Sequence, residues 1–197
     1  MTLTHLTPAD YRRMPWKNGL GTTTEILADP PGALTRGERF LWRVSLADVT
    51  ANGPFSAFPG YDRTILVAEG AGMALDFDTA PPALVAERFV PLDFKGEWTT
   101  SCRLLNGPIR DFNVMVDRAR ATARIRILRG LTPTTVDEQD ATLLVHVFQG
   151  RIIAGSHILP AGDSLRADGA DTVLRLVPDH PDTVAALIIV RPHQPAA

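Results

Sequence analysis

The sequence predicts an all-β protein, built as a sandwich or a barrel. Three observations predict this class. Apolar residues recur with a period of two in short runs, turn-forming residues separate these runs, and no stretch sustains a helical period over about ten residues. Many short strands at regular spacing are typical of sandwiches and barrels. The one helix that the sequence predicts is short, from Pro8 to Arg13, with Thr7 as its N-cap.

The strands are predicted where Val, Ile, Leu, Phe and Thr are concentrated between Gly-rich and Pro-rich turns. They cover residues 42–49, 64–69, 110–116, 123–128, 143–149, 151–154, 172–177 and 184–190. Each half of the chain holds a strand, a glycine turn, a second strand and a later turn that contains proline and glycine. This weak internal repeat places a boundary near residues 117–122 and predicts two domains, residues 1–119 and 120–197.

The composition excludes several classes of function. The 197 residues include 22 acidic and 20 basic ones, for a formal charge of -2, and no dense basic run. Nucleic acid is therefore not an expected partner. The single cysteine, Cys102, cannot form an intrachain disulfide. Because no apolar segment is long enough for a signal peptide or a transmembrane helix, we expect a cytoplasmic protein without a membrane partner.

The segment from Met14 to Glu25 concentrates groups that suit a small-molecule pocket. Trp16 could form an apolar wall, Lys17 could neutralise an anion, and Asn18 could donate and accept hydrogen bonds. The alternative is a turn that a buried Trp anchors, leading into a strand at residues 22–27. Lys17 precedes the glycines, so the segment is not a phosphate-binding Walker loop.

Arg43 is the most informative charged residue in the predicted strands. Arg43 and Ser45 share one face of the strand at residues 42–49, and Trp42 and Val44 share the other. An arginine that faces an interior needs a carboxylate from the protein or from a ligand, because an unpaired buried charge is strongly unfavourable. Arg43 is therefore predicted either to clamp a ligand or to form half of an internal ion pair.

Two other strands carry polar residues that could line a pocket. Asp62 and Arg63 are neighbours and point to opposite faces, so at most one of them lines a pocket, and a salt bridge that closes a turn is the alternative. Asp111, Asn113 and Met115 share one face of the strand at residues 110–116. This alternation suits a barrel interior with a polar floor.

Several motifs between residues 11 and 117 make the chain resemble the HutD/Ves family. They are MPWKNG at 14–19, GTT at 21–23 with Glu25, WRVS at 42–45, ADV at 47–49, GPFS at 53–56, FPG at 58–60 with Asp62-Arg63, CRLL at 102–105, GP at 107–108, Asp111, and NVM at 113–115. The resemblance implies two fused cupin barrels of the RmlC-like jelly-roll type. The HutD branch implies an association with bacterial histidine utilisation, and the Ves branch one with stress or cold response.

The motif positions of this family coincide with the polar residues singled out above. The resemblance therefore implies a pocket in the N-terminal barrel, whereas the second barrel, with its mostly aliphatic pattern, is expected to be a scaffold. The expected ligand-binding residues are Trp16, Lys17, Asn18, Arg43, Asp62, Arg63, Asp111 and Asn113.

Cupin barrels often hold a metal through a His-x-His motif, an acid and a later His. The five histidines of this chain never occur at that spacing, and the pair His146 and His157 lacks a nearby acid. We therefore expect no metal and no cofactor. The predicted function is the metal-independent binding of a small carboxylate such as urocanate or formylglutamate.

Two other functions stay open at this point. One is a metal-independent isomerase or hydrolase for a carboxylate or a sugar, with Glu25, Asp62 or Asp111 as the acid or base. The other is a stress-related structural or protein-binding module, which predicts no buried polar pocket. Exposed edge strands could also pair two copies of the chain, so a homodimer is compatible with the fold.

Overall fold

The structure is a computed structural model that describes residues 1–16, 19 and 21–193. It is almost entirely β-sheet, which confirms the predicted all-β class. The strands are β1 Thr2–Leu6, β2 Arg12–Pro15, β3 Gly21–Asp29, β4 Trp42–Val49, β5 Gly53–Pro54, β6 Tyr61–Glu69, β7 Met73–Phe77, β8 Ala83–Val85, β9 Leu92–Lys95, β10 Thr100–Leu104, β11 Ile109–Asp117, β12 Ala121–Arg129, β13 Thr134–Gln139, β14 Thr142–Gln149, β15 Arg151–Ala154, β16 His157–Pro160, β17 Ser164–Asp168, β18 Asp171–Pro178 and β19 Val184–Pro192.

All eight predicted strands are present, and two of them, β4 and β15, have the predicted bounds. The helical segments are short 3₁₀ turns, Pro8–Asp10 and Ala33–Arg36. The backbone N–H and the hydroxyl of Thr7 both donate to Asp10 Oδ2 at 2.8 Å, which closes the first turn. The predicted helix extended to Arg13 and is too long, because the chain from Arg12 onward pairs with β3. No helix in the described part of the chain is long and apolar enough to cross a membrane.

The chain divides into two compact units. We call residues 12–120 the N-terminal body, and residues 1–11 together with the chain from Ala121 onward the C-terminal body. The sequence prediction placed the first eleven residues with the N-terminal half. They belong instead to the C-terminal body, because β1 forms an antiparallel pair with β17 over its whole length. A pairing over this sequence distance leaves no local signal in the chain.

The N-terminal body consists of two antiparallel sheets. The six-stranded sheet has the order β2-β3-β4-β11-β6-β9, and the four-stranded sheet has the order β5-β10-β7-β8. Ile65 and Val67 of the larger sheet share one hydrophobic cluster with Met73, Leu75 and Cys102 of the smaller sheet. The two sheets therefore pack face to face, and residues that alternate along the larger sheet point into the space between them.

The C-terminal body repeats this plan with a five-stranded sheet, β1-β17-β14-β19-β12, and a four-stranded sheet, β13-β18-β15-β16. Its core is aliphatic and includes Leu143, Val145, Ile152, Leu165 and Leu176. Each of these side chains is fully buried. Burial of this much apolar surface from both sheets is the main source of the body's stability.

Within the C-terminal body, a short series of hydrogen bonds connects Tyr11, from the first eleven residues, to the strands β14 and β17. The Tyr11 hydroxyl donates to the carbonyl of Gly162 at 2.7 Å and lies 2.8 Å from Ser164 Oγ, which in turn lies 2.9 Å from His146 Nδ1. Since the Tyr11 proton goes to the carbonyl, Ser164 must donate to Tyr11, and His146 must donate through Nδ1–H. Burial lowers the pKa of His146 to about 3, so the imidazole is neutral at physiological pH.

Candidate functional site

A row of four paired residues crosses the inner face of the six-stranded sheet. Arg43 on β4 lies opposite Met115 on β11, Met115 lies opposite Arg63 on β6, and Arg63 lies opposite Phe94 on β9. Met115 therefore separates two arginines that point to the same side. The pairing of β4, β11 and β6 fixes this row, because a shift of one residue in any of these strands would turn its side chains to the other face.

Polar residues continue on the same face, further along β11. Asn113 lies opposite Ser45, and Asp111 lies opposite Ala47. Both polar side chains are buried, with Asp111 2% and Asn113 5% exposed. The sequence prediction that Asp111, Asn113 and Met115 share one inward face agrees with this arrangement.

These residues line a cavity of about 540 Å³ in the N-terminal body. Its walls come from β2, β3 and the loop that follows β5, in addition to the sheet residues named above. The lining residues are Met14, Pro15, Trp16, Thr23, Leu34, Arg43, Ser45, Ala47, Pro54, Phe55, Ser56, Phe58, Arg63, Asp111, Asn113 and Met115. The cavity is large enough for a small organic ligand and combines an apolar wall with a few converging polar groups, as ligand sites generally do.

Arg43 forms an internal ion pair with Glu25. Its Nε donates to Glu25 Oε2 at 2.7 Å, and the two side chains are only 4% and 6% exposed. The pairing of β3 with β4 shifts between Glu25 and Leu27, a bulge directly beside Glu25. Of the two alternatives for Arg43, the structure shows the ion pair. The charge of Arg43 is therefore compensated by the protein itself, although its side chain still lines the cavity.

Arg63 has a different environment. It is 5% exposed, and its Nε has no hydrogen-bond partner. Its Nη1 donates to the carbonyl of Ser56 at 3.3 Å, and no carboxylate of the described residues forms an ion pair with it. Burial lowers the pKa of Arg63 to about 10, Asp111 opposes this shift, and Arg43 adds to it. The guanidinium therefore stays charged at neutral pH while it lacks a direct counter-ion.

Three aromatic rings surround the Arg63 guanidinium. Its Cζ lies 4.7 Å from the ring centroid of Phe94, 5.7 Å from that of Phe58 and 5.8 Å from that of Phe55. Each contact is a cation–π interaction, of about 0.5 to 2 kcal/mol in general. The rings hold the guanidinium in place and offset part of its desolvation, but they give its Nε no hydrogen-bond acceptor.

Asp111 and Asn113 each have a buried Oδ1 atom without a hydrogen-bond partner. With Arg63 Nε, they account for three of the four such side-chain atoms among the described residues, and all three residues line the cavity. Burial raises the pKa of Asp111 to about 7; Arg63 opposes this shift, and Asp48 adds to it. Buried polar atoms are normally paired, so this concentration of unpaired ones marks a place where a ligand would supply the partners.

Trp16 serves as a wall of the cavity and as the anchor of a turn. Its Nε1 donates to Thr23 Oγ1 at 2.8 Å, and its backbone N–H donates to the carbonyl of Gly21 at 2.9 Å. A Cβ atom at position 21 would lie 2.5 Å from the carbonyl oxygen of Asp48 and 3.1 Å from the Trp16 ring. Only glycine at this position lets the indole pack so closely against the strand. Lys17 and Asn18 lie outside the described residues.

Asp62 does not line the cavity, so the structure corrects its expected place among the pocket residues. Its Oδ1 lies 2.8 Å from Lys95 Nζ and 3.0 Å from Arg118 Nη1. Because neighbours in a strand point to opposite faces, the inward position of Arg63 turns Asp62 outward. The salt-bridge alternative therefore describes Asp62.

The groups around this cavity do not fit a metal ion. Among the described residues, the lining has one carboxylate and one amide beside two guanidinium groups, and no imidazole. Arg43 is compensated by Glu25, but the charge of Arg63 opposes a bound cation, and metal sites need several anionic or imidazole ligands. In the described part of the chain, no group of three or more His, Cys, Asp or Glu side chains could hold a metal.

Sequence reasoning missed the aromatic cage around Arg63 and the pairing of Glu25 with Arg43. Phe55 and Phe58 belong to the GPFS and FPG motifs, which were noted as motifs without a role. Phe94 lies in β9, a short strand that was not predicted. The only available signal was the clustering of aromatic residues at 55 and 58, shortly before Arg63.

The chain matches the HutD family model over residues 8–185. The chain is 39% identical over 174 residues to an uncharacterized 21.2 kDa protein in the hutC 3' region of Pseudomonas putida, covering 85% of this chain and 87% of the relative. It is 34% identical over 175 residues to protein Ves of Citrobacter koseri, covering 86% and 87% of the two chains.

A solved structure of HutD from Pseudomonas fluorescens SBW25, in a formate condition, has the same fold. The TM-score is 0.84 at 34% identity, and the match covers 98% of this chain and all of that one. This likeness, together with more distant cupin-like structures, confirms the predicted fold class of two jelly-roll cupin units.

Proposed function

Since the chain belongs to the HutD family, we propose that its N-terminal body binds a small carboxylate ligand without a metal and links that ligand to bacterial histidine utilisation. The hutC-region relative in Pseudomonas putida, at 39% identity, supports the link to this pathway. Urocanate and formylglutamate are the ligands that we propose first, because both are carboxylates formed during histidine breakdown.

The observation that carries the proposal is the state of Arg63. Arg63 lines the cavity with a buried guanidinium, its Nε has no hydrogen-bond partner, and no carboxylate of the described residues forms an ion pair with it. A buried charge without a direct ion-pair partner is costly, so Arg63 is retained at the expense of stability. A carboxylate in the cavity would supply both the missing ion-pair partner and the missing hydrogen-bond acceptor.

The residue proposed to hold the ligand carboxylate is Arg63 and not Arg43. The sequence alone left Arg43 as either a ligand clamp or half of an ion pair, and Glu25 now accounts for its charge. In the proposed complex, Arg43 contributes to the wall of the cavity, and Arg63 holds the carboxylate. The aromatic rings of Phe55, Phe58 and Phe94 keep the guanidinium in position for that contact.

The two unpaired oxygens of Asp111 and Asn113 are acceptors for hydrogen-bond donors elsewhere on the ligand. Each can accept a hydrogen bond, so an N–H or O–H group near the ligand carboxylate would satisfy one of them. Formylglutamate offers an amide N–H, and urocanate offers an imidazole N–H. The alternative of a protein-binding module predicted no buried polar pocket, and the cavity described above favours the ligand-binding function instead.

A thermal-shift screen tests this function. We expect formylglutamate, urocanate or a related carboxylate to raise the melting temperature, because a ligand that binds only the folded state stabilises it. The shift should be the same with and without a chelator. Arg63→Met should abolish it, whereas the control Asp62→Asn, at the neighbouring outward-facing position, should retain it. A chelator-sensitive shift, or an unchanged shift in Arg63→Met, would contradict the proposal.

A second candidate function rests on Asp111. A buried carboxyl with a pKa of about 7 beside a guanidinium could act as a general acid or base at neutral pH. The same panel of ligands, incubated with the protein and analysed for new products, tests this function. Turnover that disappears in Asp111→Asn would establish catalysis; ligand binding without any product would leave the binding function alone.

A further inference from the structure

The cavity contains more acidic and basic groups than a simple anion site requires. Among the described residues that line the cavity, the charged groups besides Asp111 are Arg63 from β6 and Arg43 from β4, and Arg43 is paired with Glu25 from β3. Asp48, also on β4, acts on Asp111 through its charge, and Cys102 of β10 is a titratable neighbour. Burial raises the pKa of Cys102 to about 12, so its thiol stays neutral.

Counting charges shows what an anion would meet. Arg43 and Glu25 form a compensated pair, and Arg110 pairs with Asp48 at 2.6 Å. Among the described residues that line the cavity, this leaves Arg63 and Asp111, whose charges cancel when Asp111 is ionised. These residues then present no net charge to an anion. When Asp111 is protonated, they present one net positive charge.

We propose that anion binding in this cavity is coupled to the uptake of one proton by Asp111, so that the protein holds its ligand more tightly at lower pH. This inference rests on the proposed carboxylate-binding function. The reaction balances as ligand carboxylate plus ionised Asp111 plus one proton, giving a complex with the ligand ionised and Asp111 neutral. The incoming carboxylate takes the place of Asp111 as the counter-charge of Arg63.

The geometry supports this exchange. Asp111 is only 2% exposed, so bulk water does not screen it from a second anion in the same cavity. The Oδ1 atom of Asp111 has no hydrogen-bond partner, and a carboxyl that takes up one proton keeps an oxygen that can still accept a hydrogen bond from a ligand N–H. Two carboxyl groups that share a buried site share a proton for the same reason, since both cannot stay ionised at low cost.

Calorimetric titration of the whole protein with formylglutamate between pH 5.5 and 8.5 tests the coupling. Both carboxyl groups of this probe stay ionised over that range, since unperturbed carboxyl groups titrate near pH 4. We expect the affinity to be nearly constant at the acidic end and to fall by up to tenfold per pH unit above about pH 7. Repeating the titration in buffers with different ionisation enthalpies should show the uptake of close to one proton near pH 8.

Asp111→Asn and Asp62→Asn are the matched variants. Asp111→Asn keeps the size of the side chain but cannot titrate, so we expect binding with no pH dependence and no proton uptake. Asp62→Asn, on the outer face, should keep the wild-type profile. If Asp111→Asn does not fold, the number of protons that the wild-type protein takes up on binding near pH 8 still tests the coupling. A count close to one supports it, and a count near zero contradicts it.

The outcomes separate the two proposals. Binding with a flat pH profile and no proton uptake would overturn the coupling and leave the binding function intact. A pH dependence that persists in Asp111→Asn would also overturn the role of Asp111. No binding of formylglutamate at any pH, combined with no response to the other carboxylates in the thermal-shift screen, would overturn both proposals.

Discussion

The two bodies of this chain share an architecture and differ in how they treat buried polar groups. In the C-terminal body, the buried side chains of His146 and Ser164 belong to a hydrogen-bonded chain that ends on a backbone carbonyl, beside an aliphatic core. In the N-terminal body, Arg63, Asp111 and Asn113 line a cavity, and each has a buried polar atom without a hydrogen-bond partner. A shared fold therefore does not imply a shared role, because function depends on which polar groups are left for a ligand.

This difference also suggests how each body would respond to mutation. Removing a paired polar group leaves its partner unsatisfied and costs stability. Removing an unpaired one relieves a desolvation cost and removes a contact for the ligand. We therefore expect substitutions of buried polar residues in the C-terminal body to lower stability without affecting ligand binding. Several substitutions of the unpaired polar residues in the N-terminal cavity should weaken ligand binding without lowering stability.

Arg43→Met should have the largest effect on stability. It tests a paired polar residue of the cavity against the unpaired residues Arg63, Asp111 and Asn113. It leaves Glu25 buried without its partner, and we expect a loss of about 3 to 5 kcal/mol in the free energy of unfolding. Replacing both residues, as in Arg43→Met with Glu25→Leu, should recover most of this loss. Urea unfolding of the two single variants and the double variant measures the coupling energy between Arg43 and Glu25. If the double variant loses the sum of the two single losses in free energy of unfolding, the ion pair does not stabilise the fold.

The contribution of Asp111 to stability should depend on pH. Its pKa is raised in the folded protein from an ordinary value of 3.8 to about 7, so the folded state binds more protons than the unfolded state between these values. Stability from this group is therefore complete below about pH 4 and is lost as the pH rises to about 7, by up to about 4 kcal/mol.

Unfolding measured at several pH values isolates this contribution. The difference in stability between Asp111→Asn and the wild-type protein should change in favour of the variant from pH 4 to pH 7 and stay constant above. Asp62→Asn provides the control for an exposed carboxylate. A difference between Asp111→Asn and the wild-type protein that does not vary with pH would mean that Asp111 titrates normally.

Tyr11→Phe should have the smallest effect and tests the role of the C-terminal body. The substitution removes the donor to the Gly162 carbonyl and the acceptor for Ser164, and we expect a loss of about 1 to 2 kcal/mol. Ligand affinity should not change, in keeping with the proposed scaffold role of this body. A loss of affinity in this variant, measured by calorimetry, would show that the C-terminal body takes part in binding.

The parts of the fold that sequence alone could predict are those with a local pattern. The alternation in residues 42–49 gives β4 its bounds and puts Arg43 and Ser45 on one face. The pairing of β1 with β17 is not predictable in this way, since it joins segments about 160 residues apart and depends on the whole C-terminal body. Long-range pairing overrides weak local signals.

The same limit applies to the site. Alternation showed that only one of Asp62 and Arg63 could face the interior, but the choice depends on how β6 pairs with β11. The two cationic candidates, Arg43 and Arg63, could not be ranked from the sequence, because Glu25 reaches Arg43 only once β3 and β4 are paired. The Phe94 ring likewise meets Arg63 only through the pairing of β6 with β9.

The central claim is that Arg63 is the carboxylate anchor, and an experimental structure of the protein bound to formylglutamate tests it most directly. We predict a ligand carboxylate within hydrogen-bonding distance of the Arg63 guanidinium, with the Arg43–Glu25 pair intact and a ligand N–H facing Asp111 or Asn113. A ligand bound outside this cavity, or one that displaces Glu25 from Arg43 and leaves Arg63 without a partner, would contradict the claim.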